Sequence, residues 1–174
     1  SPLTNRAISE RYPPGSTFKV ITTAAALQAG ITENEQLTAA PQILLPNSTA
    51  TLENYGGTAC GGAPKAPLRE AFERSCNTAF VELGIRLGGN AIRNTADAFG
   101  FDNPPAPIPL EVAESTVGPM SDGAAVGMSS MGQKDVAVTP LQNAMVAAAI
   151  ANDGVLMQPY LVDRLEGPDL AEIS

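Results

Sequence analysis

The sequence has 174 residues, of which 44% are hydrophobic and 16% are charged, and its formal net charge is −8. That apolar content suits one compact domain, or a large piece of one, and the acidic balance argues against nucleic acid, whose binding depends on neutralising phosphates. The chain has no histidine and two cysteines, which excludes a Ser-His-Asp triad within it and argues against a zinc site. Its longest strongly apolar stretch, residues 144–151, is too short to cross a bilayer.

In chain order, the first part of the sequence predicts a loop, a helix and a turn-rich segment. Residues 1–15 are expected to form the loop, and residues 16–29 a helix that ends at Gly30. This helix is apolar on nearly every side, which is typical of a central, buried helix. Residues 31–66 contain many turn-forming residues and no steady hydrophobic period, so we expect irregular structure there.

Three shorter helices are predicted next, over residues 67–75, 78–87 and 90–99, each followed by polar or glycine residues that can end it. The apolar residues expected to face the core from the first two of these helices are Leu68, Ala71, Phe72, Phe80, Leu83 and Leu87.

The last part of the chain predicts one long helix and a strand. Residues 102–110 are expected to be extended, and residues 118–135, rich in Gly, Ser and Met, to form a loop. Thr139 followed by proline is typical of a helix start and predicts a helix through Ala151. Residues 155–165 predict a strand or strand pair, interrupted by a proline.

Ser16 and Lys19 are the first candidate pair for chemistry, because residues three apart in a helix share a face. Lys19 is the only charged residue between Arg11 and Glu33. Desolvation and the positive end of the helix dipole both disfavour its ammonium form and lower its pKa. A neutral amine can deprotonate the Ser16 hydroxyl, and the free N–H groups of the first helical turn can stabilise an oxyanion.

The same pair also has an ordinary structural interpretation. A serine at a helix start is most often an N-cap, and lysines usually extend to water. A Ser-x-x-Lys pattern occurs by chance about once in a chain of this size. The isolated lysine and the absence of histidine favour catalysis, but this pattern alone leaves both interpretations open.

A second polar pattern, Ser75-Cys76-Asn77, follows the helix predicted over residues 67–75. It is weak by itself, since Ser and Asn often satisfy carbonyl groups where a helix ends. In a catalytic site, Ser75 would pass on a proton, and the Asn77 carboxamide would donate and accept hydrogen bonds with a substrate amide.

Three stretches in this order and spacing resemble the transpeptidase domain of class B penicillin-binding proteins, especially the actinobacterial members. They are YPPGSTFKV, SCNTAF and VAVTPLQNAMVAAAIANDG, and the resemblance covers essentially residues 1–174. The family's Ser-x-x-Lys motif matches Ser16 to Lys19, and its Ser-x-Asn motif matches Ser75 to Asn77. Its third motif, Lys-Thr-Gly or Lys-Ser-Gly, is absent, because neither Lys65 nor Lys134 begins one.

The resemblance implies an α+β fold of the serine β-lactamase and transpeptidase type, an antiparallel sheet covered by helices beside an all-helical subdomain. Residues 1–174 would then be an incomplete, mainly helical part of one transpeptidase domain, with the Lys-Thr-Gly strand downstream. The chain has neither an initiator methionine nor a signal-like start, so residue 1 is not expected to be the native N-terminus.

The resemblance also implies a D,D-transpeptidase that needs no metal or cofactor. Ser16 would attack the penultimate D-Ala carbonyl of a peptidoglycan stem peptide, and Lys19 would take its proton. Ser75 would relay a proton to the departing D-Ala, while Asn77 would hold the substrate amide. An amine from a second stem peptide would resolve the acyl-enzyme, and β-lactams would acylate Ser16 in the same way.

Three alternatives stay open. A serine β-lactamase shares the nucleophile, but Glu111 and Glu114 do not fit the Glu-x-x-Leu-Asn motif of class A enzymes. Class D enzymes share STFK yet carry Tyr-Gly-Asn after the second motif, whereas residues 55–57 of this chain, Tyr-Gly-Gly, precede it. A β-lactam sensor needs acylation alone, and a non-catalytic helical binding module needs none.

The family's location suggests a pairing for the cysteines. It works at the extracytoplasmic face of the bacterial membrane, where disulfides persist, so Cys60 and Cys76 are expected to bond, with two unrelated thiols as the alternative. The resemblance further implies an N-terminal anchor outside this chain, and other cell-wall synthesis or division proteins as partners.

Overall fold

A computed structural model describes residues 3–104, 108–166 and 168, and helices dominate these residues. In chain order the helices are α1 (Arg6–Ser9), α2 (Lys19–Gln28), α3 (Leu68–Glu73), α4 (Asn77–Leu87), α5 (Gly89–Ala98), α6 (Gly123–Ser129) and α7 (Pro140–Ala151). The strands are β1 (Gln36–Thr38), β2 (Gln42–Leu44), β3 (Thr51–Glu53) and β4 (Lys65–Pro67).

The four strands form two small antiparallel sheets in the segment predicted to be irregular. β1 pairs with β4, with Leu37 opposite Ala66, and β2 pairs with β3, with Ile43 opposite Leu52. Each strand is three residues long, so the sequence offers too few alternating positions for a period to be recognised.

The core has two parts, one on each side of α2. The first surrounds α4 and is made by buried residues that include Leu37, Leu68, Ala71, Cys76, Ala79, Phe80 and Leu83. The second lies between α2 and α5, where the Phe18 ring meets the edge of the Phe101 ring at a centroid distance of 5.6 Å. Since α2 contacts α4 and α5, it is central, as its all-apolar sequence predicts.

The helices predicted over residues 16–29, 67–75, 78–87, 90–99 and 140–151 are all confirmed, with ends shifted by up to three residues. Thr139 caps α7 as predicted, because its Oγ1 accepts a hydrogen bond from Gln142 N at 3.1 Å. Phe72, predicted to be in the core, is 42% exposed, so that prediction is wrong. Residues 105–107 of the predicted extended connection lie outside the described residues.

Two predicted loops and one predicted strand are wrong. Residues 1–15 include α1, which Asn5 caps by accepting from Ala7 N, and residues 118–135 include α6, which Asp122 caps by accepting from Ala125 N at 2.8 Å. Residues 155–165 form no strand, because they are mostly exposed and find no ladder partner in the described part of the chain. Within the described residues, no helix combines the length and the apolar character needed to cross a membrane.

Candidate active site

Ser16 is exposed and lies on a 3₁₀ turn, Gly15–Phe18, which leads directly into α2. Lys19 is the first residue of α2 and is 1% exposed. Residues three apart stack on one face of a 3₁₀ turn, so the turn brings the two residues to the same side of the chain. The site therefore combines an exposed hydroxyl with a buried amine one turn further along the chain.

The Lys19 amine donates hydrogen bonds to three oxygens of the second motif. Nζ lies 2.8 Å from the Ser75 carbonyl oxygen, 3.0 Å from Ser75 Oγ and 2.9 Å from Asn77 Oδ1. The Phe80 ring also lies against this amine, with its centroid 5.3 Å from Nζ. Residues that are 56 to 58 positions apart in the sequence thus meet at one buried nitrogen.

Burial sets the acidity of this amine. It lowers the pKa of Lys19 from 10.5 to about 8, because the desolvated ammonium form loses its hydration. A measurable fraction of the amine is then neutral near pH 7, which is the form that accepts a proton from a hydroxyl.

In the described residues, no hydrogen bond joins Ser16 Oγ to Lys19 Nζ. An ammonium group has three N–H donors and no lone pair, so three bonds to Ser75 and Asn77 fit the protonated form. A neutral amine keeps two donors and gains a lone pair. Of its three partners only Ser75 Oγ, a hydroxyl, can donate to that lone pair, so this bond can reverse when Lys19 loses its proton.

The Ser75 backbone adopts a left-handed conformation, with φ of 58°. A residue with a β-carbon pays about 1–2 kcal/mol for this, and such residues concentrate at functional sites. Asn77 is held at both ends of its carboxamide, since Nδ2 donates to the Glu53 carbonyl at 3.0 Å while Oδ1 accepts from Lys19. One donor and one acceptor position of the carboxamide remain for a substrate amide.

A disulfide fixes the middle residue of the second motif. The structure joins Cys60 to Cys76, whose Cα atoms are 5.7 Å apart, and Cys76 is 1% exposed. The bond ties the glycine-rich turn Cys60–Gly62 to the residue between Ser75 and Asn77.

Asn54 is a supporting residue that sequence reasoning missed. It is 6% exposed, and its Oδ1 accepts from Thr78 N at 3.1 Å at the start of α4. Its Nδ2 donates to the Ala40 carbonyl at 2.8 Å and the Thr58 carbonyl at 3.3 Å. An asparagine within a turn-rich segment carries no sequence signal for this role, because the segments it connects are distant in sequence.

Opening the disulfide is expected to lower the free energy of unfolding by about 3 kcal/mol, the chain-entropy value for a loop of about 15 residues. Urea denaturation with and without reductant measures this loss. The Cys60→Ser variant should show the same loss without reductant and no further response to it. An unchanged midpoint after complete reduction would contradict the expectation.

An exposed serine one turn before a buried lysine of lowered pKa, in a chain without histidine, is the residue combination of a candidate Ser-Lys acyl-transfer site. Residues 1–172 match the family model of the penicillin binding protein transpeptidase domain, and the chain belongs to that family. The predicted family and the predicted fold class are thereby confirmed.

Two curated relatives match this chain over its whole length. It is 72% identical over 174 residues to the peptidoglycan D,D-transpeptidase PbpA of Mycobacterium tuberculosis, and 68% identical over the same length to that of Mycolicibacterium smegmatis. The chain spans only 35% of the length of each of these relatives.

Solved structures agree with this assignment. The penicillin G acyl-enzyme complex of M. tuberculosis penicillin-binding protein A matches with a TM-score of 0.96 at 72% identity, covering 100% of this chain and 40% of that one. Pseudomonas aeruginosa PBP2 in complex with WCK 5153 matches with a TM-score of 0.85 at 26% identity, covering 99% of this chain and 41% of that one.

Proposed function

We propose that this chain carries the acylation machinery of a peptidoglycan D,D-transpeptidase, with Ser16 as nucleophile. The observation that carries the proposal is the buried Lys19 amine, which contacts Ser75 and Asn77 and lies one turn from Ser16. The name and the acyl-enzyme complexes of the M. tuberculosis relative support the same activity.

In the proposed reaction, neutral Lys19 takes the proton of the Ser16 hydroxyl as Oγ attacks the penultimate D-Ala carbonyl of a stem peptide. The bond from this carbonyl to the terminal D-Ala nitrogen breaks, and that nitrogen receives a proton from Lys19 through the Ser75 hydroxyl. The amine of a second stem peptide then attacks the ester and displaces Ser16 as a hydroxyl. Asn77 orients the substrate amide through its remaining donor and acceptor.

A β-lactam acylates Ser16 in the same way, but the reaction stops at the acyl-enzyme. Attack by Ser16 opens the lactam ring, so the leaving nitrogen stays attached to the acyl group and the adduct persists. The acyl-enzyme complexes of the M. tuberculosis relative with penicillin G, imipenem and ceftriaxone support this part of the proposal.

We also propose that residues 1–174 are part of one transpeptidase domain and that the Lys-Thr-Gly strand belongs to its remainder. A groove of about 510 Å³ between α2 and α7 supports this, and Val20, Leu27, Val146 and Ile150 line it. Leu27 and Ile150 are 53% and 54% exposed. A groove of this apolar character needs cover, and further strands of the same domain provide it.

We propose that the protein works at the outer face of the bacterial membrane, held there by an anchor elsewhere in the protein, and the family's role in cell-wall synthesis supports this. Its proposed substrates are stem peptides ending in D-Ala-D-Ala, and its proposed partners are other proteins of cell-wall synthesis or division. The disulfide between Cys60 and Cys76 supports an oxidising location.

Labelling of the full-length protein with a fluorescent penicillin tests the proposed function. A transpeptidase should keep the label and should release D-Ala from a stem peptide when an acceptor amine is present. A label that is kept without D-Ala release would indicate a sensor. Rapid hydrolysis of the penicillin would indicate a β-lactamase. No labelling at all would indicate a non-catalytic binding module.

A further inference from the structure

A glycine far along the chain touches the turn that carries the nucleophile. Gly132 accepts a hydrogen bond at its carbonyl oxygen from Gly15 N at 3.0 Å, and Gly15 begins the turn that holds Ser16. The φ of Gly132 is +74°, and a Cβ placed there would lie 2.0 Å from the Gly15 carbonyl oxygen and 2.8 Å from Phe18 Cβ. Only a residue without a side chain permits this approach.

The segment Ser130–Gly132, here called the brace, also contacts α2 and α4, the helices that carry Lys19 and Asn77. The Ser130 carbonyl accepts a hydrogen bond from Thr22 Oγ1 of α2 at 2.7 Å. On α4, a Cβ at Gly84 would lie 1.7 Å from Ser130 Oγ, so that helix meets the brace without a gap. The brace therefore joins the helix that begins with Lys19 to the helix that begins with Asn77.

We propose that Gly132 is a positioning residue for acylation, because its contact with Gly15 fixes the Ser16 turn relative to Lys19 and Asn77. This inference rests on the proposed function, since it concerns the rate at which Ser16 attacks. Gly132 touches neither substrate nor reacting atoms. It acts through the backbone of the turn alone.

The turn, and not the brace, should yield when a side chain is added at Gly132. Gly15 is half-buried and Ser16 and Thr17 are exposed, so this part of the turn can move, while Phe18 at its end is anchored in the core at 2% exposed. Ser130 is 0% and Met131 9% exposed. Densely packed segments resist displacement, while an exposed turn can move into solvent. A Cβ at Gly132 thus pushes Ser16 away from a site whose other members stay in place.

The Gly132→Ala variant of the full-length protein tests the proposal, with Gly30→Ala as the matched control. Gly30 has a similar φ of +82° but has nothing within 4 Å of an added Cβ, so it carries the same backbone cost without the collision. Stopped-flow labelling with a fluorescent penicillin separates the first-order acylation constant from the dissociation constant of the non-covalent complex.

We expect Gly132→Ala to lower the acylation constant by about 10²-fold, the effect of roughly a 1 Å displacement. The dissociation constant and the apparent pKa of the pH–rate profile should not change, since Lys19 keeps its surroundings. Gly30→Ala should acylate like the wild type. An unchanged acylation constant in Gly132→Ala, or a shifted apparent pKa, would overturn the positioning role.

A second pair of variants covers a Gly132→Ala protein that fails to fold. Thr22→Val removes the hydrogen bond to the Ser130 carbonyl, whereas Thr22→Ser keeps a hydroxyl that can make it. Thr22→Val should acylate several-fold more slowly, and Thr22→Ser at the wild-type rate. Equal rates in both would overturn the inference, whereas an unlabelled wild-type protein would instead refute the proposed function and the inference with it.

Discussion

Replacing Ser16 with alanine is expected to abolish covalent labelling by penicillin while the fold is retained. Ser16 is exposed, and its hydroxyl makes no side-chain hydrogen bond with the described residues, so the substitution should change stability by no more than about 0.5 kcal/mol. The loss should be complete, because the proposed ester forms on Ser16 Oγ and alanine has no hydroxyl. Intact-mass spectrometry after incubation with penicillin G measures the adduct directly.

Ser121→Ala is the control for this experiment, because it removes another exposed hydroxyl, outside the site. It should acquire one penicillin mass, like the wild type. Labelling of Ser16→Ala at the wild-type rate, or an adduct on Ser75 in the wild type, would assign the nucleophile to a different residue.

Replacing Lys19 with methionine should lower the second-order acylation constant by about 10²–10⁴-fold, the range for loss of a general base. Methionine is an unbranched side chain of similar length that can occupy the buried position of Lys19, but it leaves the oxygens of Ser75 and Asn77 without their donor. Lys19→Arg separates the two effects, because arginine keeps N–H donors and charge but does not deprotonate. Both variants should lose acylation to a similar extent.

The pH dependence of wild-type acylation follows from the same amine. The acylation constant should rise about tenfold per pH unit below the pKa of Lys19, about 8, and level off above it. Near-normal acylation by Lys19→Arg would exclude Lys19 as the base.

The same pKa shift makes the stability of the fold depend on pH. Because the folded state holds fewer protons than the unfolded state between about pH 8 and pH 10.5, the free energy of unfolding should rise over that interval, and Lys19→Met should remove the rise.

The helices with strong local signals could be predicted from the sequence. The uncharged run after Lys19 identifies α2, and Thr139 with its following proline marks the start of α7. α6 has a weaker signal, because two of its seven residues, Gly123 and Gly127, are glycines, which disfavour a helix. It is stabilised instead by close packing on α4, where a Cβ at Gly127 would lie 2.9 Å from Val81.

Sequence motifs suggest the residues of the candidate site, but they do not predict the hydrogen bonds between them. Sequence spacing suggested a contact between Ser16 and Lys19, yet the Lys19 amine donates instead to Ser75 and Asn77. Neither that choice nor the contact of Gly132 with Gly15 is encoded in local spacing. Both depend on how α2, α4 and α6 pack together, which is a property of the tertiary structure.

The ionisation of Lys19 can be measured directly by NMR in the full-length protein labelled with ¹³C at the lysine ε-carbon. The Lys19→Arg variant assigns its resonance by subtraction. A titration midpoint near 8 is expected for the buried amine. A midpoint near the ordinary value of 10.5 would mean that Lys19 stays protonated at neutral pH and cannot be the base that activates Ser16.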